Sequence, residues 1–209
     1  MGQQSIIPFP LQALQNKNSH YINTSETTVR THDVFIDTDI EGPSEYRELI
    51  SLLFNAGENE IINIFINSGG GQLDTALSIV EGLKNTNAHV TAFIMGACHS
   101  AASIIMMYCH TVVVLDNAYS MIHTASFGSS GNTSNVKNHT EFTVKQVEKL
   151  LNETYEGFLS KEELVMVKQG VELWFDSEAI KTRMTKRIKF LESKQRKESK
   201  SEKTEGDKE

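Results

Sequence analysis

The chain has 209 residues, 39% hydrophobic and 22% charged. That is enough for one domain with a sizeable core, and it is unlike a disordered or fibrous chain. A formal net charge of −7 argues against nucleic acid as a partner, and two cysteines, Cys98 and Cys109, make no disulfide framework and point to a reducing compartment.

Residues 1–30 are polar around one apolar patch, Ile6-Ile7-Pro8-Phe9-Pro10-Leu11. The prolines oppose a helix, so an N-terminal arm is expected. No basic segment leads into a long apolar run at the start. Ile6 breaks the myristoylation spacing that Gly2 would need, and no apolar run reaches membrane-spanning length. The expectation is a cytoplasmic protein without a membrane segment.

Val34-Phe35-Ile36 is a short strand candidate. Pro43 followed by Tyr46, Leu49, Ile50, Leu53 and Phe54 has helical spacing. Ile61 to Ile66 reads as a buried strand. Asn67-Ser68-Gly69-Gly70-Gly71 ends it, and a helix from Leu73 to Lys84 follows, with Leu73, Ala76, Leu77, Val80 and Leu83 on one face. A second apolar strand, Val90 to Met95, runs through Gly96-Ala97-Cys98-His99-Ser100 into the helical run Ile104 to Tyr108. Strand, glycine turn and helix thus occur twice, which predicts a layered α/β fold.

Two more strands are expected, Thr111 to Leu115 and Ala118 to His123. A Gly/Ser/Asn-rich segment, Ser126 to Asn135, precedes a long helix from Thr140 to Phe158. Ser160 and Glu163 have capping-box spacing for a helix over Lys161 to Lys168. Trp174-Phe175 is a packing element, and Glu178 to Met184 a short helix. Residues 186–209 hold nine Lys/Arg and six Asp/Glu, about +3, which leaves the body at −10. Ser193 to Glu209 has no apolar residue, so a disordered tail over 191–209 is expected. The division is arm 1–30, domain 31–190 and tail 191–209.

A serine nucleophile needs a base, a group to orient that base, and N–H donors for the oxyanion. Ser100 lies where a strand turns into a helix, whose first N–H groups are unpaired. His123, at the end of a strand, is the base candidate. His99 is weaker, because adjacent side chains point in different directions. Gly70 and Ala101 offer backbone donors. No Gly-Lys-Ser/Thr follows the glycine run, which argues against a nucleotide loop. The spacing of Cys98-His99 and Cys109-His110 fits no zinc pattern, so neither metal nor cofactor is expected.

Three blocks together resemble the Clp protease proteolytic subunit family. Ile66-Asn67-Ser68-Gly69-Gly70-Gly71 is similar to its Ile-Asn-Ser-Pro-Gly-Gly, with Gly69 in place of proline. Gly96-Ala97-Cys98-His99-Ser100 is similar to its Gly-x-Ala-Ala-Ser, and Met121-Ile122-His123 to its Met-Ile-His. Order and spacing agree from about Val34 to Ile188. The resemblance implies a ClpP/crotonase-like fold of stacked ββα units with a protruding handle helix, matched by Thr140 to Phe158. It implies a serine endopeptidase with Ser100 as nucleophile, His123 as general base and an oxyanion hole from Gly70 and Ala101. Glu172 falls at the acid position, with Asp176 as runner-up. Thr124, Ala125, Phe127 and Gly128 would line the substrate strand. The family's partners would be unfolded protein substrates, further copies in two stacked heptameric rings, and an AAA+ unfoldase. The alternatives are an inactive ring subunit, a crotonase-type acyl-CoA enzyme, and a Ser–Lys peptidase of the signal peptide peptidase kind, for which no lysine block is present.

Overall fold

The computed structural model describes residues 28–206, with side chains for residues 28–197. The expected arm at 1–30 lies almost wholly outside the described residues. Among the described residues, six strands and six α-helices form a mixed α/β domain. The strands are β1 (Arg30–Ile36), β2 (Glu60–Ser68), β3 (His89–His99), β4 (Thr111–Val114), β5 (Tyr119–Ile122) and β6 (Leu173–Asp176). The sheet order is β1-β2-β3-β5-β6, with β4 also on β3. All pairs are parallel except β5 with β6.

β3 is the central strand and has two partners on one side. Thr91 to Ile94 pair with β4, and Ala97 to His99 pair with β5. Its length, 11 residues from His89 to His99, lets it serve both. On the other side its pairing with β2 skips between Ile94 and Cys98. The Asn67 side chain fills that irregularity by accepting from the Ala97 N–H at 3.0 Å.

The helices are α1 (Arg47–Asn55), α2 (Leu73–Asn85), α3 (Ala101–Tyr108), α4 (Thr133–Tyr155), α5 (Lys161–Lys168) and α6 (Ser177–Gly206). A short 3-10 turn at Pro43–Tyr46 precedes α1. Ile62, Ile64 and Ile66 of β2, with Val90, Ala92 and Ile94 of β3, face the core. There they meet α1, α2 and α3 in one apolar cluster. α3 is buried from Ala101 to Met107, as a helix apolar on all sides must be. The opposite face carries Phe35, Phe65 and Phe93, stacked in register with centroids 4.9 Å apart.

Two helix boundaries differ from the sequence expectation. α4 begins at Thr133, not Thr140, and ends at Tyr155. Asn132 caps it, accepting from the Asn135 N–H at 3.0 Å, so the polar segment is partly a capped first turn. α6 does not stop at Met184 but continues to Gly206, through most of the stretch expected to be a disordered tail. Asp176 caps its start by accepting from the Ala179 N–H at 2.8 Å. Farther along, where apolar residues run out, the i,i+4 pair Glu192–Arg196 at 4.0 Å favours the helix. The capping box of α5 forms as expected, with Ser160 and Glu163 satisfying each other's backbone N–H groups.

Candidate active site

Ser100 is the N-cap of α3 and the one non-glycine residue with positive φ among the described residues, at φ 51° and ψ −121°. Such a backbone costs on the order of 1–3 kcal/mol and persists only where its surroundings impose it. Those surroundings are specific. The Ser100 N–H donates to the Met121 carbonyl at 2.8 Å, extending the β3–β5 ladder one step. Ser120 Oγ donates to the Cys98 carbonyl at 2.6 Å, tying the two strands together just before the turn. β3 ends here in a sharp corner, and β5 runs alongside it.

That register brings His123 to Ser100. Met121 holds the serine backbone, and two residues later the imidazole Nε2 lies 2.8 Å from Ser100 Oγ. His99, by contrast, sits away from the hydroxyl. Its ring packs on Tyr119 and on the edge of Trp174, with centroids 5.0 and 5.1 Å away. Its Nε2 is buried without a hydrogen-bond partner among the described residues, and burial lowers its pKa from the ordinary histidine value. Cys98 is fully buried, and desolvation pushes its thiol well up, which removes the thiolate a nucleophile needs.

The glycine run packs against this corner. A Cβ on Gly70 (φ 99°) would lie 2.8 Å from both the His99 carbonyl and Ser100 Cβ. A Cβ on Gly71 (φ 144°) would collide with the backbone of Ile40. The run is fixed there by Ile40 N–H donating to the Gly70 carbonyl and Gln72 N–H to the Ile40 carbonyl, both at 2.7 Å. Glycine is thus required by close approach as well as by positive φ. The Gly70 N–H, one of the two expected oxyanion donors, points to Ser68 Oγ at 3.1 Å. The other, Ala101 N–H, opens a helix and has no acceptor among the described residues.

Neither acid candidate touches the imidazole. Among the described residues no carboxylate lies within ion-pair distance of His123. The β5–β6 ladder separates the two candidates. Ile122 pairs with Leu173, so the next step sets His123 opposite Glu172, which is exposed. Asp176 pairs with Tyr119, four residues from His123, and caps α6.

A cavity of about 190 Å³ opens beside Ser100 and His123. Its walls are mostly apolar and include Leu73, Ile104, Ala125, Val147, Leu150 and Tyr155. Ala125 therefore lines the cavity beside Ser100 and His123. Thr124 and Phe127 line an adjoining cavity of about 230 Å³ that shares Ala125 and Val147 with the first. Gly128 faces open space. A larger cleft of about 740 Å³ lies between α5 and α6. It holds no nucleophile–base pair, and Glu163 there is bonded to Arg183 at 2.9 and 2.7 Å.

The Clp protease family model matches residues 16–197 of this chain. The chain belongs to the Clp protease family. It is a ClpP-like protein and, at family level, a peptidase, and the six-stranded sheet with six helices is the fold of that family. The Clp match covers all six strands and reaches beyond the region in which the motifs are legible. Ser103 and Tyr155, which join the Ser100 backbone to α4, were not singled out by sequence. They carry no motif, and only the depth of their burial marks them. Clp proteases generally form oligomeric rings, and no described helix here is long and apolar enough to cross a membrane.

Proposed function

We propose that the chain is a serine endopeptidase subunit that hydrolyses peptide bonds of unfolded polypeptides. The observation that carries this is the 2.8 Å contact between His123 Nε2 and Ser100 Oγ at a strained strand-to-helix corner. His123 takes the hydroxyl proton as Oγ attacks the peptide carbonyl. The carbonyl oxygen becomes an oxyanion beside the Ala101 N–H, and Gly70 N–H joins it by leaving Ser68 Oγ. His123 then gives the proton to the departing amine, and water releases the acyl group by the same steps in reverse roles. Glu172 orients His123 once its exposed side chain turns toward Nδ1. The apolar cavity takes the side chain on the acyl side of the bond, selecting leucine- or methionine-sized residues. The substrate backbone lies extended along Thr124 to Gly131, where residues 123–130 carry no pairing of their own.

Further copies in stacked heptameric rings would enclose the site, with α4 as the handle. An AAA+ unfoldase would supply chains, since no nucleotide loop is present in this sequence. The bond between Ser100 and His123 favours hydrolysis over acyl-CoA chemistry. One observation favours a second reading, an inactive ring subunit: no carboxylate meets His123 among the described residues. Hydrolysis of an unfolded casein or a fluorogenic peptide decides between them. Turnover that falls about 10⁴-fold or more in Ser100→Ala and His123→Ala supports the enzyme. Equal, background turnover in all three proteins supports the inactive subunit.

A further inference from the structure

Behind the serine a buried chain of hydroxyls leads to the end of α4. Ser103 Oγ donates to the Ser100 carbonyl at 2.7 Å. Its remaining contact is the Tyr155 hydroxyl, also at 2.7 Å. Because the Ser103 proton is committed to a carbonyl, which can only accept, the Tyr155 O–H must be the donor in the second bond. Burial supports that direction by keeping the phenol protonated far above neutral pH. Ser103 is 0% and Tyr155 2% exposed, so water does not replace either bond. Tyr155 is itself pinned. Arg187, 6% exposed, donates at 2.6 Å to the carbonyls of Thr154 and Glu156 on either side of it.

The carbonyl that receives this chain shares a peptide plane with the Ala101 N–H. The carbonyl takes two donors, Ser103 Oγ at 2.7 Å and the Ile104 N–H at 3.2 Å. Two bonds on the oxygen fix the plane and hence the direction of the N–H at its other end. Donation to the carbonyl also polarises the amide and strengthens its N–H as a donor. We infer that Ser103 and Tyr155 are positioning residues that hold the Ser100–Ala101 peptide with its N–H aimed at the oxyanion. This rests on the proposed hydrolytic function. It adds to that function a link from the end of α4 to the oxyanion site.

The test is steady-state peptide hydrolysis by the full chain, with thermal unfolding and the affinity of a peptide boronic acid measured beside it. Tyr155→Phe keeps the ring that lines the cavity and removes only the donor. The double variant Ser103→Ala with Tyr155→Phe leaves no buried hydroxyl unpaired, so it avoids the folding cost of either half-broken pair. The expected result is a fall in kcat of about 3- to 10-fold for Tyr155→Phe and about 10- to 100-fold for the double variant, part of the loss seen when an oxyanion donor is removed outright. KM stays within about two-fold, and boronate affinity falls with kcat/KM. Wild-type kcat in the double variant overturns the inference while leaving the hydrolytic reading intact. So do losses in kcat, KM and melting temperature that move together, which would mark a structural role. An unreactive wild-type protein removes both.

Discussion

At Ser100 the backbone is strained and the hydroxyl lies 2.8 Å from the His123 imidazole, while among the described residues no carboxylate lies within ion-pair distance of that imidazole. The ladder register makes Glu172 and Asp176 separable by mutation. Glu172→Gln is expected to lower kcat by about 10²-fold with folding unchanged, less than the loss at a buried triad acid because Glu172 is exposed. Asp176→Asn keeps activity and weakens only the α6 cap, by less than about 1 kcal/mol. The reverse pattern, measured by kinetics and urea unfolding, would assign the acid to Asp176. His99 gives a second prediction. Its buried Nε2 lacks a partner among the described residues, so His99→Phe should stabilise the fold by about 1 kcal/mol at pH 7. Its folded pKa is lowered, so the unfolded chain takes up a proton first as pH falls. The wild type then loses stability below the ordinary histidine value of about 6.5, and the advantage of the variant widens toward pH 5. An advantage that is flat with pH would contradict this. Ser100 and His123 were legible because each sits in a block of distinctive residues. A third member was not, because a one-residue shortening left two acid candidates near one position, which only the strand pairing tells apart. Nor could the Gly70 N–H bond to Ser68 be read from a glycine run.

Among the elements, α5 was legible to the residue, because its capping box and Lys168 mark both ends. α4 and α6 were misjudged at their polar ends, where an exposed helix has no apolar period to count. The capping of α5 carries its own pH dependence. Arg183 beside Glu163 holds the carboxyl below its ordinary value, and the Ser160 N–H adds to this. A lowered folded pKa gives stability that is present above the unfolded value and is lost as pH falls through the folded one. Glu163→Gln should therefore cost about 1–2 kcal/mol at pH 7. The gap should close as pH drops below about 4, read by denaturant unfolding across that range. A cost independent of pH would mean that the ion pair contributes nothing.

For the whole molecule, the α/β class followed from the repeated strand, glycine turn and helix, and the two-partner role of β3 did not. That role depends on β3 extending past Met95 to His99, where Gly96 and Ala97 break the apolar run. Assembly is testable by size: the intact chain at micromolar concentration should scatter light as a multimer, and a protein that is monomeric throughout would remove the ring. The most direct measurement of the central claim is intact-mass and peptide mapping after treatment with a fluorophosphonate. Activation of Ser100 by His123 predicts one adduct, on Ser100, absent in Ser100→Ala and formed at least about 10²-fold more slowly in His123→Ala. An assembled wild-type protein that takes no adduct, or takes it at another residue, would contradict it.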